Sequence, residues 1–407
     1  MKRKIFCSLD IGNSKLTAVL AKAEKQRINI LATATSPVRG LSKGRVAELA
    51  DLVDCIQQIL DKLSSETGIN IKSILISVNG DYIHARYSFA AVALSEIANR
   101  QISLADINYL RRQAKLLGVH MDETILHEFP QTYILDDDHS TFNPLGLLAR
   151  KIKLNSYLLS ASHTLLGNVK TAVQQAGYDI EDVLYSGVAS GFSVLSAEEK
   201  EKGVLLIDLG ACFTSLLFFK DKILRDFKII PFGGNDITDD ISKSLELPWE
   251  LAEDLKKSSL VLSAQDPKAS DKVVVRRFGS YKTLERSAIY EAAKIRLEEF
   301  LGKVRSAIHS SIWKDKMTSG IVGVGGAANL EGILEKIESS TGMPVRLGHI
   351  KDVSSGGGAL GPQFAAAVGL IYYSDAKNLP SLKSYLMGKT PLERATNFIR
   401  NLYQDYF

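Results

Sequence analysis

Short apolar runs alternate along this chain with longer stretches of helical periodicity. The runs 4–9, 16–20, 73–79, 204–207, 216–219 and 321–324 have the length of strands and are bounded by turn residues. Leu49, Leu52, Val53, Ile56, Ile59, Leu60 and Leu63 recur at three- and four-residue spacing and predict an amphipathic helix over 46–63 that packs on a core. Further helices are expected over 104–117 behind the cap Ser103, over 168–177 ending on glycine, and over 284–309. Strands alternating with helices define an α/β fold. From about Tyr82 to Ser162 the pattern changes to an α+β insertion, and 258–272, rich in Ser, Lys and Asp, reads as a surface loop.

The end of the chain carries its own pattern. After a connecting stretch over 374–389, Thr390-Pro391-Leu392-Glu393 combines a capping box with proline at the first helical position. Leu392, Ala395, Phe398, Ile399, Leu402, Tyr403, Tyr406 and Phe407 then form one stripe, with Glu393, Arg394, Asn397, Arg400, Asn401, Gln404 and Asp405 opposite. Such a helix either docks on its own domain or lies in a membrane surface. Arg394 and Arg400 are balanced by Glu393 and Asp405, so binding to lipid would rest on apolar burial.

Composition narrows the classes. The 407 residues, 45% hydrophobic and 24% charged, allow two or three domains and a large core. Fifty basic and forty-six acidic residues leave a net charge of +4, too little to argue nucleic-acid binding. Cys7, Cys55 and Cys212 fit a reducing compartment. The basic start is followed by an apolar stretch broken at Ser8 and Asp10, unlike a signal peptide, and no run of about eighteen apolar residues would span a bilayer. Asp136-Asp137-Asp138-His139 has consecutive acids that do not converge on a metal, and reads as a turn.

The candidate chemistry lies in three glycine-bearing loops. Ser8-Leu9-Asp10-Ile11-Gly12-Asn13-Ser14-Lys15 and Ile207-Asp208-Leu209-Gly210-Ala211-Cys212-Phe213-Thr214 share one form: a strand, Asp-x-Gly, then a second apolar run. Each predicts a hairpin whose turn approaches phosphates. Glycine permits close backbone contact, amides donate to phosphate oxygens, and Asp10 and Asp208 can hold Mg²⁺ through its water shell. The third loop, Gly323-Val324-Gly325-Gly326-Ala327-Ala328-Asn329, follows a strand and should open a helix near Leu330, where Gly325, Gly326, Ala327 and Asn329 can accommodate adenosine. The two hairpins are 198 residues apart and point to a duplicated fold closing on one nucleotide.

With these loops the chain resembles the actin-like ATPase superfamily and, within it, the FtsA family of bacterial cell-division proteins. The block Leu126-His127-Glu128-Phe129-Pro130-Gln131-Thr132-Tyr133, followed by Asn143-Pro144-Leu145-Gly146-Leu147, resembles the signature of that family's own subdomain. Gly187-Val188-Ala189-Ser190-Gly191, Pro231-Phe232-Gly233-Gly234-Asn235 and the closing helix over 364–370 fit as well. The resemblance implies an actin-like (ribonuclease H-like) duplicated α/β fold. Its two domains would divide into subdomain IA over 1–82, 163–198 and 361–375, insertion subdomain IC over 83–162, IIA over 199–234 and 312–360, and IIB over 235–311. A linker over 376–389 and a membrane-targeting amphipathic helix over 390–407 would follow. It further implies ATP and Mg²⁺ as cofactors, held by Asp10, Gly12, Asn13, Ser14, Lys15, Asp208, Gly210, Ala211, Thr214, Gly233, Gly234, Asn235 and the adenosine loop. Glu291 and Lys294, three apart on one helix face, would border ribose and adenine. The implied partners are the C-terminal tail of the tubulin-like protein FtsZ on subdomain IIB, further copies of the chain in a filament, later divisome proteins on the insertion, and membrane lipid. The implied place is the cytoplasmic face of the inner membrane at the septum, as a peripheral protein.

Hydrolysis is where the chain departs from that pattern. The second loop normally reads Asp-Ile-Gly-Gly-Gly-Thr-Thr-Asp; here Ala211, Cys212 and Phe213 bring side chains towards the phosphates, and Ser215 replaces the last acid. Ser186 stands where filament proteins often carry an acid that positions water, and serine is a poor general base alone. The expectation is ATP binding with slow or absent turnover and no assignable catalytic residue. Two other readings share the loops: a PilM-like pilus-assembly adaptor, and a sugar-kinase-type phosphotransferase, which would need a catalytic acid beside the phosphates.

Overall fold

A computed structural model of the chain describes residues 4–24, 27–262, 272–277, 280–351, 353–355 and 359–377. The expected helix over 390–407, the connecting stretch beyond Lys377 and most of the 258–272 loop lie outside the described residues.

Two Asp-x-Gly hairpins organise the molecule. The strands Lys4–Ile11 and Lys15–Glu24 pair antiparallel, with Asp10 opposite Thr17; Val204–Leu209 and Thr214–Lys220 do the same, with Asp208 opposite Ser215. Each hairpin gains a third antiparallel strand on one side, Arg27–Pro37 and Ile223–Ile230 respectively. On the other side each pairs with a parallel strand, Ser73–Val78 or Ile321–Val324, and then with Asp179–Tyr185 or Val345–Leu347. The strand orders therefore superimpose, except for Val353–Ser355, which adds a sixth strand to the first sheet. This is a duplicated fold of two lobes, with both Asp-x-Gly turns at the same end of their sheets.

Burial explains the elements. Every residue of Val204–Leu209 is buried, as expected of a strand covered on both faces. Helix Leu49–Thr67 buries Leu52, Cys55, Ile56, Ile59, Leu60 and Leu63 on one face of the first lobe. It starts three residues later than its apolar spacing suggests, because Arg45–Val46 forms a small strand pair with Leu41–Ser42, and it ends on Gly68 at φ 67°. Helix His163–Gln175 begins five residues earlier than expected, directly after the strand Lys151–Ser162. In the first lobe, helices Ser186–Val194 and Ala365–Lys377 touch backbone to backbone: a Cβ on Gly369 would stand 1.8 Å from the Ala189 carbonyl oxygen. That second helix runs through residues 374–377, which the sequence pattern assigns to the connecting stretch.

The insertion has its own sheet, in the order His139–Thr141, Glu123–Leu135, Lys151–Ser162, Ile83–Ala93. Helix Leu104–Leu117 covers one face, and its start is fixed by a complete capping box between Ser103 and Asp106. The acidic run makes the expected turn. Asp136 and Asp137 have positive φ, and Asp136 Oδ1 accepts from the Arg150 and Lys151 amides, each at 2.9 Å. The long helix Arg286–His309 and the helices Gly234–Leu245 and Trp249–Ser259 form the outer part of the second lobe.

Candidate functional site

A cleft of about 660 Å³ separates the lobes, and both Asp-x-Gly turns open into it. Asp10, Gly12, Asn13, Ser14 and Lys15 line one wall, and Asp208, Gly210 and Ala211 the other; Gly234, Asn235, Gly325, Gly326, Ala327 and Asn329 close the far end. The turns are built alike. A Cβ on Gly12 would meet the Lys15 carbonyl oxygen at 2.8 Å, and one on Gly210 would meet that of Phe213 at 2.7 Å. Only glycine leaves such a turn undistorted. By this correspondence Phe213, buried at 3% exposure, occupies the place of Lys15, so the second turn presents no cation.

The electrostatics of the cleft favour ions of both signs. Burial pushes the Asp10 carboxyl up to about 6, although Ser77 Oγ donates to it at 2.6 Å and Lys15 is nearby. Asp208 is pushed up to about 7 by burial and then by the charge of Asp10. The Ser186 hydroxyl, beside Asp208 but outside ordinary hydrogen-bond geometry, acts in the lowering direction. Lys15 is lowered by burial, with Asp10 opposing and Lys257 reinforcing the shift. Buried Asp208 and partly buried Asp10, whose charge disfavours the Asp208 carboxylate, form a hard-oxygen donor set suited to Mg²⁺, and a desolvated lysine beside them suits phosphate. Asn13 Oδ1, buried without a protein partner, adds a further oxygen in the same turn. Ser215, the other position considered for hydrolysis, is bonded to the Tyr185 hydroxyl and fully buried.

Four expected contacts fall elsewhere. Glu291 and Lys294 lie outside the cleft, as an exposed ion pair 3.6 Å apart on the long helix. Thr214 is fully buried and donates to the Phe232 carbonyl at 2.9 Å. Gly233 lies against the second turn, with a Cβ there only 2.3 Å from the Ala211 oxygen, so it supports the loop from behind. Cys212 likewise turns to Asn235, whose Nδ2 is 3.7 Å from its sulfur.

The helix that does reach the cleft is Trp249–Ser259, which carries Trp249, Glu250, Glu253, Asp254, Lys256 and Lys257 to its wall. It repeats the acid-x-x-lysine spacing expected at 291 and 294. Glu253 pairs with both Lys256 and, at 3.0 Å, Lys257. Lys256 Nζ also donates to the Gly234 carbonyl at 2.9 Å and to Thr238 Oγ1 at 2.8 Å, which fixes the glycine turn at the start of Gly234–Leu245. The spacing was visible in sequence, but nothing local distinguishes it from the pair at 291. Thr35, Ser36, Pro37, Asn79, Pro362 and Gln363, also in the wall, carry no sequence signal of their own.

Two lobes of one strand order, facing across a cleft with an Asp-x-Gly turn from each, define an actin-like protein. Solved structures agree on the fold. The PilM-PilN type IV pilus biogenesis complex matches with a TM-score of 0.67 at 18% identity, covering 96% of this chain and 100% of that one. MreB5 of Spiroplasma citri bound to ADP matches with a TM-score of 0.54 at 12% identity, covering 94% and 98%. Family models and curated sequences are more specific. The model "Cell division protein FtsA" matches residues 205–369, and "SHS2 domain inserted in FTSA" matches 80–160. The cell division protein FtsA of Pseudomonas aeruginosa is 28% identical over 391 residues, covering 95% of this chain and 93% of that protein. The chain belongs to the FtsA family of cell-division proteins. The pilus-adaptor alternative shares the fold, but the family matches favour FtsA.

Proposed function

We propose that this cell-division protein binds ATP and Mg²⁺ between its lobes, polymerises, and tethers FtsZ to the cytoplasmic membrane during septum assembly. The observation that carries the nucleotide part is the pair of matched turns placing Asp10 and Asp208 in one cleft. Asp10 and Asp208 would hold the metal's water shell, while the turn amides and Lys15 would bind phosphate. Glu253 and Lys256 would take the ribose and adenine side in place of Glu291 and Lys294. Mg²⁺, when bound, would supply charge neutralisation between the carboxylates and the phosphates. Ser186 offers no general base and Ser215 is committed to Tyr185, so nucleotide would be held rather than turned over quickly.

Family membership supports the remainder: FtsZ binding through the outer part of the second lobe, filament formation, contact of the insertion with later divisome proteins, and peripheral attachment at the division site through 390–407. Among the described residues no helix is long and apolar enough to cross a membrane. Attachment would therefore use the amphipathic stripe, and a filament presenting many such helices would bind with an avidity no single helix has. Co-sedimentation of FtsZ with anionic liposomes, in ATP and magnesium, tests the tether. The full chain should carry FtsZ into the pellet and a chain ending at Lys389 should not; FtsZ left in the supernatant by both would refute it.

A further inference from the structure

The insertion enters the chain within the first lobe, between Ser73–Val78 and His163–Gln175, yet it is hydrogen-bonded to the second. Its bonds go to the strand Ile223–Ile230, which forms a hairpin with Thr214–Lys220. At one end this hairpin carries the phosphate turn 210–213, and its contacts with the insertion run from the middle of the strand towards the other end. Tyr87 Oη donates to the Arg225 carbonyl at 2.8 Å, Gln131 Nε2 to that of Leu224 at 2.9 Å, and the Phe227 amide to Tyr157 Oη at 3.1 Å. Arg225 Nη1 returns a bond to Gln131 Oε1 at 3.0 Å.

The local backbone is shaped for this seam. Phe218 pairs with Asp226 and Phe219 with Leu224, which leaves Arg225 as the extra residue of a β-bulge. Bulges redirect a side chain, and this one turns a guanidinium into the interface, where it is 5% exposed. It lies over the rings of Phe142, from the insertion, and Trp313, from the second lobe, at 5.6 and 5.1 Å. Asp221 Oδ2, 2.8 Å from Nη2, holds its charge.

We propose that the insertion is a strap between the lobes, which limits how far the cleft opens and is coupled through the 214–230 hairpin to what the cleft holds. The lever is long enough. The seam residues Leu224 to Phe227 lie opposite 217–219, three to five residues of strand or about 10–17 Å from the phosphate turn, so a rotation of about 8° pivoting there would move the seam by about 2 Å. Hydrogen bonds of 2.8–3.1 Å cannot follow such a movement. Opening must therefore break the seam or be stopped by it, and a ligand that closes the cleft must tighten it.

The coupling half rests on the nucleotide reading; the mechanical half does not, and the experiment separates them. Spin labels at exposed Ser65→Cys and Ser339→Cys, in a full chain with Cys212→Ser, report the distance between lobes without any ligand. Tyr157→Phe and Tyr87→Phe remove seam hydroxyls but keep the rings; Arg225→Lys serves should Tyr157→Phe fold poorly, which circular dichroism shows. The distance distribution should broaden or shift by about 2 Å or more in the seam variants. A distribution identical to that of the unaltered seam would overturn the strap. Dissociation of a fluorescent ATP analogue should also accelerate roughly fivefold in the variants. Unchanged dissociation would overturn the coupling, whereas an analogue that binds no chain at all would refute the nucleotide reading and leave the distances to decide the strap.

Discussion

At the residue scale the cleft is arranged against its own stability. Asp10 and Asp208 have carboxyls raised in the folded chain, to about 6 and about 7 from an ordinary 3.8. A raised carboxyl favours the folded state below its unfolded value, and that contribution is lost as pH rises through the folded value, here between about 4 and 7. His127, held down to about 4 by burial, opposes this trend as pH falls, so variant and parent are best compared at each pH. In the absence of nucleotide and with EDTA, Asp208→Asn should come closest to the parent at pH 4 and become progressively more stable than it towards pH 8. The gain should be on the order of 2 kcal/mol in urea unfolding. A variant less stable than the parent at pH 8 would show that Asp208 is satisfied in the empty cleft.

At the element scale, sequence spacing revealed the matched hairpins and the capped helix Leu104–Leu117, because apolar alternation and caps are local properties. It drew attention to Glu291 and Lys294, whereas the acid-lysine pair in the cleft wall is Glu253 and Lys256. Glu253 and Glu291 have the same local pattern, and only packing of Trp249–Ser259 against the glycine turn at Gly234 distinguishes them. Thr214 and Gly233 were likewise drawn to the site by their neighbours in sequence, while the direction of the Thr214 hydroxyl and the place of the Gly233 backbone depend on tertiary contact. The bulge that aims Arg225 is another such feature, since a one-residue offset between strands has no signature in the chain. Packing between elements can be tested at Gly369, where a Cβ would overlap the Ala189 backbone. Gly369→Ala should cost about 2–3 kcal/mol by forcing two helices of the first lobe apart, and a thermal midpoint equal to the parent's would contradict that contact.

At the scale of the molecule, duplication produces a cleft and insertion makes it specific to one family. The two lobes share strand order and turn geometry, but the second carries Phe213 where the first has Lys15 and, among the described residues, no counterpart of the sixth strand Val353–Ser355. One half thus presents Asp10 and Lys15 to the cleft while the other presents Asp208 and bare backbone. The insertion then joins the two away from the phosphate turns. The central claim is that both turns act on one Mg²⁺-nucleotide. Calorimetric titration of ATP, with and without magnesium, tests it on the parent, on Asp10→Asn with Asp208→Asn, and on Glu291→Ala. Magnesium-dependent binding should be seen in the parent, fall at least tenfold in the double variant and persist in Glu291→Ala. Binding that ignores magnesium and survives loss of both carboxylates would contradict it.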